Sequence, residues 1–85
     1  TISPRAEKQL KQVSKVDQIS IAKKIRELGA GKRDAKAEKL KGFRHVYRMR
    51  IGNYRLVYKK TSKELYLILI GHRKDIYRLL RRFFN

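Results

Sequence analysis

The chain has 85 residues, enough for one domain with one modest hydrophobic core. Its 24 lysines and arginines against seven aspartates and glutamates give a net charge of +17, which favours a polyanionic or acidic partner. Cysteine is absent, which excludes disulfides and cysteine-based metal sites, and the longest apolar run, residues 65–70, is too short to span a bilayer. Because the sequence shows no apolar signal-peptide core, we expect a cytoplasmic protein without a membrane segment.

The first 30 residues predict two amphipathic helices. Ser3 suits an N-cap because a proline follows it, and Ser14 or Asp17 can cap the second helix. Apolar residues recur at helical spacing in both segments: Ala6, Leu10 and Val13 in the first, and Ile21, Ala22, Ile25 and Leu28, flanked by Ile19, in the second. Since so few residues separate the helices, we expect an antiparallel hairpin. A polar loop with room for a helical turn near residues 35–40 should follow over residues 30–42.

The second half of the chain predicts a three-strand antiparallel meander, over residues 44–51, 54–60 and 64–70. Gly52 and Asn53 form a two-residue loop between alternating runs, which is a strong hairpin signal. The third strand is apolar on both faces, so we expect it at the centre of the sheet, covered on both sides. Gly71 should end this strand, and a helix over residues 75–84 should follow. The expected fold class is α+β, with an N-terminal helix hairpin packed on a small antiparallel sheet, to which a short N-terminal strand can be added, and a C-terminal helix.

The two-residue loop also predicts the hairpin register, because it pairs Ile51 with Tyr54 and Arg50 with Arg55. One face of the sheet then carries the expected core residues Tyr47, Met49, Ile51, Tyr54, Leu56 and Tyr58. The other face carries Val46, Arg48, Arg50, Arg55, Val57 and Lys59. Like charges directly opposed destabilise a sheet, so the arginine patch indicates a preformed anion site. The alternative is an exposed sheet face whose long side chains extend into solvent.

A second basic segment, residues 71–78, follows the third strand. Arg73 and Tyr77 are four residues apart and can share a face of the last helix. Basic side chains interleaved with aromatic ones suit a phosphate backbone and unstacked bases. If the strand continues through Gly71, His72 and Arg73 point to opposite sides of the sheet, so we do not expect both in one pocket.

Three stretches in concert resemble the RelE toxins of the RelE/ParE superfamily: Lys39-Leu40-Lys41-Gly42, Tyr54-Arg55-Leu56-Val57-Tyr58, and Gly71-His72-Arg73 followed by Tyr77. The resemblance covers nearly the whole chain in element order and implies a single RelE-like toxin domain over residues 1–85. It implies a toxin that enters the ribosomal A site, cuts the mRNA there and so stops translation. It also implies an acidic antitoxin partner that silences the toxin. The family's catalytic cluster maps onto Arg48, Arg50, Arg55, Arg73 and Tyr77.

The chain departs from the family pattern at two places. Family members usually begin with a strand of several residues, whereas only two residues precede Ser3 here. The best-known members carry lysines at the positions of Arg48 and Arg50. Because arginine stays protonated, neither residue can serve as a general base, and that role must fall elsewhere.

The chemistry expected of these residues is attack of the RNA 2′-OH on the neighbouring phosphate. Arg55 and Arg73 are the candidates for clamping the phosphate, since guanidinium groups bind it in bidentate fashion. Tyr77 is the candidate base, or the residue that stacks on and orients the nucleotide. His72 is the rival acid or base, because histidine exchanges protons near neutral pH. We expect no metal and no other cofactor, as the sequence shows no carboxylate cluster or histidine pair.

Other basic residues are assigned to binding. The expected substrate-binding residues are Lys59, Lys39, Lys41 and Arg44, and the expected ribosome-binding residues are Lys8, Lys11, Lys15, Lys23 and Lys24. On a generic protein the lysines of the first two helices would only promote solubility. Two other functions stay open: a ParE-like inhibitor of DNA gyrase that cuts no RNA, and a non-catalytic nucleic-acid-binding domain.

Overall fold

A computed structural model describes residues 1–31 and 37–84. Its elements in chain order are α1 (Pro4–Lys11), α2 (Lys15–Gly29), β1 (Glu38–Lys39), β2 (Val46–Ile51), β3 (Tyr54–Lys60), β4 (Leu65–His72) and α3 (Ile76–Phe84). The strands form one antiparallel sheet in the order β1-β2-β3-β4. The α+β class, the N-terminal helices, the meander and the C-terminal helix are thereby confirmed. None of the helices in the described part of the chain is long and apolar enough to cross a membrane.

Both N-terminal helices begin at serine caps. The Ser3 hydroxyl accepts a hydrogen bond from the Ala6 N–H at 3.0 Å and donates to the Ile68 carbonyl at 2.7 Å, so it joins α1 to β4. Ser14, rather than Asp17, caps α2, and its hydroxyl accepts from the Asp17 N–H at 3.4 Å. The short link between α1 and α2 leaves both helices contributing to the same core.

The predicted hairpin register is confirmed over all of β2, from Val46 opposite Lys59 to Ile51 opposite Tyr54. Its turn residue Gly52 has a φ of 56°, a conformation that glycine adopts without strain. The first strand begins at residue 46 rather than 44, because residues 41–45 form a turn region that ends at His45, whose φ is 59°.

The sheet is covered on both faces. On one face, α1 and α2 enclose the larger core, whose buried residues are Ala6, Val13, Ile21, Leu28, Met49, Leu56, Tyr58, Leu67 and Ile70. On the other face, α3 covers a smaller cluster made of Val46, Val57, Ile68, Leu69 and Ile76. The face predicted to carry the arginines is therefore partly core, and its charged residues lie beyond the cover of α3.

A β-bulge turns two consecutive apolar residues of β4 toward α3. Val57 pairs with Leu69, but Tyr58 pairs with Leu67, so Ile68 is an extra residue in the ladder. Ile68 and Leu69 both join the smaller cluster as a result. A strand with strict alternation would have turned one of them toward the other face.

The expected central position of β4 is wrong, because β4 is the last strand of the four. The expectation that both of its faces are covered is correct, since residues 67–71 are buried. Its outer edge meets the N-terminus in a single parallel bridge between Ile2 and Leu67. Further along this edge, the Ile70 N–H donates to the Gln9 side-chain oxygen at 2.8 Å. The bridge and the Gln9 side chain thus provide hydrogen-bond partners for backbone groups at this edge, where a neighbouring strand would otherwise provide them.

Two other expectations need correction. The predicted loop over residues 30–42 contains β1, and the described part of the predicted helical turn, residues 37–40, is not helical, while residues 35 and 36 lie outside the described residues. Gly71 does not end β4, which continues to His72. Instead, Gly71 lets α3 approach the sheet, because a Cβ there would lie 2.9 Å from Leu79 Cδ1.

Candidate functional site

The arginine patch lies in a cleft of about 210 Å³ between the sheet and the start of α3. Its walls come from β1, β2, β3 and α3, and its lining residues are Glu38, Arg48, Met49, Arg50, Arg55, Ile76, Tyr77 and Leu80. Of the apolar members, Ile76 and Leu80 belong to or adjoin the smaller core, and Met49 belongs to the larger one. The cleft therefore combines a firm apolar base with three guanidinium groups.

Arg48 is held between two other residues of the cleft. Its Nη2 donates to Glu38 Oε2 at 2.8 Å, and its Nη1 donates to the Tyr77 hydroxyl at 3.1 Å. Its guanidinium carbon lies 5.8 Å from the centre of the Tyr77 ring, within the range of cation–π attraction. The hydrogen bond to Glu38 raises the pKa of Arg48, so this residue stays charged.

Arg50 and Arg55 face each other across the hairpin, as the register predicts. Arg55 Nη1 donates to the Tyr54 carbonyl at 3.2 Å and to the Gly52 carbonyl at 3.4 Å, which draws its guanidinium toward the β2–β3 turn. Within the described residues, the exposed Arg50 side chain makes no hydrogen bond or ion pair. Two opposed cations with donors available form a site prepared for an anion.

Arg73 lies close to this face of the sheet but does not line the cleft. Arg55 pairs with Gly71, and the Arg73 N–H donates to the Asn53 carbonyl at 2.8 Å, so the β3–β4 ladder continues for one more bond. Arg73 is exposed and is the first residue of the turn that follows β4. Tyr77, the second residue of α3, does line the cleft and is 53% exposed.

His72 lies on the opposite face of the sheet from the cleft. It pairs with Tyr54, and their rings meet edge to face with centroids 5.7 Å apart. It lines a separate depression that also includes Gln9, Asp75 and Arg78. His72, the rival acid or base, is therefore not among the residues that line the cleft.

The residues assigned to substrate binding do not join the cleft. Lys59 shares its face but lies four residues along β3 from Arg55, about 13 Å, with its Nζ 3.9 Å from Glu64 Oε1. Lys39 pairs with Tyr47 and therefore lies on the other face. Lys39 lines a second, open depression together with the two remaining residues of this group, Lys41 and Arg44.

The residues assigned to ribosome binding lie on the helices that cover the face opposite the cleft. Four of them are exposed, namely Lys8, Lys11, Lys15 and Lys23. Lys24 is half-buried, with its Nζ 3.5 Å from Glu27 Oε2. Any contact they make with a polyanion would thus occupy a different side of the molecule from the arginines.

Sequence reasoning missed Glu38. It lies on β1 directly opposite Arg48, so the carboxylate enters the cleft from the neighbouring strand. The sequence signal that could have revealed Glu38 is Gly42, because a glycine favours a turn and a turn here lets residues 38–39 pair with the next strand. In the structure Gly42 has a φ of 85°. Within the described residues, no three histidine, aspartate or glutamate side chains form a group able to hold a metal ion.

Known proteins resemble the chain in sequence and in fold. The family described as "ParE toxin of type II toxin-antitoxin system, parDE" matches residues 1–77. A chain of the RelB-RelE antitoxin-toxin complex from Methanococcus jannaschii is 27% identical with a TM-score of 0.76, covering 92% of this chain and 95% of that one.

Two further solved structures share the fold. The isolated E. coli RelE toxin is 22% identical with a TM-score of 0.71, covering 99% of this chain and 95% of that one. A chain of the intact E. coli RelBE toxin-antitoxin complex is 24% identical with a TM-score of 0.66, covering 84% and 90%. No curated protein sequence matches the chain significantly.

Proposed function

We propose that this chain, which belongs to the ParE toxin family of type II toxin–antitoxin systems within the RelE/ParE superfamily, is a ribosome-dependent endoribonuclease that cuts mRNA in the A site. The observation that carries the proposal is the meeting of Arg48, Arg50, Arg55 and Tyr77 in one cleft with Glu38. A protein that only binds a partner has no need to oppose two arginines beside a phenol and a carboxylate. These groups supply what phosphodiester cleavage requires, namely positive charge for the phosphate and a proton acceptor for the attacking hydroxyl.

In this mechanism the arginines bind the phosphate that is cut. The guanidinium groups of Arg50 and Arg55 contact its non-bridging oxygens, and Arg73 approaches from the end of β4. Their charge is in place before the reaction, so it stabilises the additional negative charge of the phosphorane without reorganisation. The cations thereby supply the charge stabilisation that a metal ion supplies in other nucleases, which is why we propose metal-independent cleavage.

The nucleophile belongs to the RNA. A base removes the 2′-OH proton, the 2′-oxygen attacks phosphorus, and the bond to the 5′-oxygen breaks as that oxygen takes up a proton. The products are a 2′,3′-cyclic phosphate and a 5′-OH. Two cleft residues can act as the base: the Tyr77 hydroxyl and the Glu38 carboxylate, both already bonded to Arg48. The single-turnover cleavage rates of Glu38→Gln and Tyr77→Phe, measured as a function of pH, identify the base. The base is the residue whose substitution removes the pH dependence of the cleavage rate.

The proposal is tested with purified protein and ribosomes that carry a defined mRNA. We expect cuts within the A-site codon that leave a 2′,3′-cyclic phosphate or the 3′-phosphate formed from it. Arg55→Ala and Arg73→Ala should each slow cleavage by roughly 10²–10³-fold, as loss of a preorganised charge-stabilising group does. Lys63→Ala is the matched control, because it removes one exposed positive charge from the turn before β4. A wild-type protein that leaves the mRNA intact would refute the proposal.

Gyrase inhibition is the second candidate function, because the matching family is named for ParE. It predicts that the protein traps DNA gyrase on DNA and cuts no mRNA on ribosomes. The cleft disfavours it, since a gyrase inhibitor does not require a site that activates a phosphate. If the protein binds nucleic acid and changes neither polymer, the non-catalytic reading replaces both.

A cognate antitoxin is the proposed partner. Two similar structures are of toxin–antitoxin complexes, and a chain with a net charge of +17 suits an acidic, partly disordered segment. We propose that such a segment covers the arginine cleft or displaces α3. If charge dominates the complex, raised salt weakens it, and an affinity insensitive to salt would instead indicate apolar docking.

A further inference from the structure

The family resemblance includes His72 between Gly71 and Arg73, but the proposed cleavage gives His72 no role. It is half-buried at the end of β4, and its ring faces the layer of α1, away from the cleft. An acid or base at this place could not reach a phosphate bound by Arg50 and Arg55. Its hydrogen bonds point to another role.

The side chain and the main chain of His72 both hold the turn that follows it. The imidazole Nδ1 accepts a hydrogen bond from the Lys74 N–H at 3.2 Å, and the His72 carbonyl accepts from the Asp75 N–H at 2.8 Å. A backbone N–H can only donate, so Nδ1 must carry a lone pair. In this hydrogen bond Nδ1 is the acceptor nitrogen, which leaves the ring N–H at Nε2.

This turn connects two parts of the proposed site. Arg73 is its first residue, anchored by its N–H to the Asn53 carbonyl in the β2–β3 turn. Asp75 is its last residue, and its carbonyl accepts from the Leu79 N–H at 3.0 Å, which begins α3 and so places Tyr77. A change in the turn would move the guanidinium of Arg73 and the phenol of Tyr77 together.

We infer that His72 is a positioning residue: its neutral imidazole orients the turn of residues 73–75 and thereby sets Arg73 and Tyr77 for cleavage. The inference rests on the proposed nuclease function. Without an acceptor at this position the Lys74 N–H loses its partner and the turn loosens. Cleavage then slows although His72 never touches the RNA.

The surroundings of the ring allow this assignment. The titratable or charged groups near it are Tyr54 from β3, Lys74 and Asp75 from the turn, and Arg78 from α3. Asp75 Oδ1 lies 3.4 Å from Arg78 Nη2, so this carboxylate already has a cationic partner. The neighbours from the α1 side, Gln9 and Gln12, are uncharged.

The test compares two substitutions of His72. Asparagine cannot act as an acid or base near neutral pH, but its side-chain oxygen accepts from the N–H two residues on, as in an Asx turn. Leucine has no acceptor. We expect His72→Asn to cut mRNA within about threefold of the wild-type rate, whereas His72→Leu slows cleavage roughly 10- to 100-fold, as a misplaced group does.

A second readout needs no ribosome. At one fixed pH, amide hydrogen exchange at Lys74 and Asp75 should be faster in His72→Leu than in the wild type, and should stay slow in His72→Asn. If His72→Asn is as slow an enzyme as His72→Leu while its amides stay protected, His72 acts as an acid or base and the inference is overturned. Unchanged exchange in His72→Leu overturns it as well. If the wild-type protein cuts nothing, the proposed function fails, and the exchange data still decide whether His72 holds the turn.

Discussion

Gly71→Ala should destabilise the protein by pushing α3 away from the sheet. A Cβ at this position would lie 2.9 Å from Leu79 Cδ1, 3.1 Å from Ile76 Cδ1 and 3.6 Å from the Ile76 Cα. Ordinary contacts between carbon atoms are about 3.5–4.0 Å, so the leucine would have to move by roughly 0.6 Å or more. The Ile76 Cα is at an ordinary contact distance, so the cost depends on how far the ends of the Leu79 and Ile76 side chains can move.

Two opposing effects set the magnitude. Overpacking of this kind costs about 1–3 kcal/mol. Since Gly71 does not have a positive φ, alanine also lowers the entropy of the unfolded chain, which gains about 0.4–1 kcal/mol. The net loss in free energy of unfolding should be about 0–2.6 kcal/mol, and each kcal/mol lowers the Tm of a domain of this size by roughly 4–8 °C.

Urea and thermal unfolding measure the effect, with Gly29→Ala as the matched control. Gly29 also lacks a positive φ, and a Cβ there would meet only Leu65 Cδ2 at an ordinary 3.9 Å, so the control should be neutral or stabilising. In a Leu79→Ala background, Gly71→Ala should cost less than in the wild type, because one clashing group is gone. Equal stability of Gly71→Ala and Gly29→Ala would refute the assignment of this glycine to helix docking.

Three further outcomes are expected. Ser3→Ala should cost about 1–3 kcal/mol in denaturant unfolding, because a buried cap that also bonds β4 is lost, whereas the exposed cap change Ser14→Ala should cost about 0.5–1 kcal/mol; equal costs would argue against the link to β4. Leu69 is fully buried beneath α3, so Leu69→Ala should lower the free energy of unfolding by about 2–5 kcal/mol. Ile19 is 68% exposed, so Ile19→Ala should lower it by less than about 0.5 kcal/mol. A small effect at Leu69 would contradict a second core under α3. Binding to single-stranded RNA should weaken with salt at a log–log slope of about −0.7 per phosphate neutralised, and a flat slope would remove the polyanion as the reason for the charge.

Local chemistry made the central hairpin predictable. A glycine at the turn and alternating side chains on both strands left one pairing that buries Met49 and Leu56, and a slip by one residue would have exposed both. The same register also predicts Arg50 opposite Arg55, as the structure has them. The Ser3 cap was equally predictable from sequence, because a serine followed by proline strongly favours the start of a helix.

What the sequence did not reveal depends on contacts between distant segments. Glu38 enters the cleft because a two-residue strand pairs across a turn that local patterns show only as a loop. Gly71 resembles a strand terminator until α3 packs over it.

Thus sequence alone determined the helices, the hairpin register and a basic face, since each depends on the preferences of neighbouring residues. Tertiary structure decided which side of that face α3 would cover, which carboxylate would hold Arg48, and that His72 would lie apart from the arginines. The reason is that each of these outcomes depends on how several elements share a limited apolar surface. No single segment carries that information.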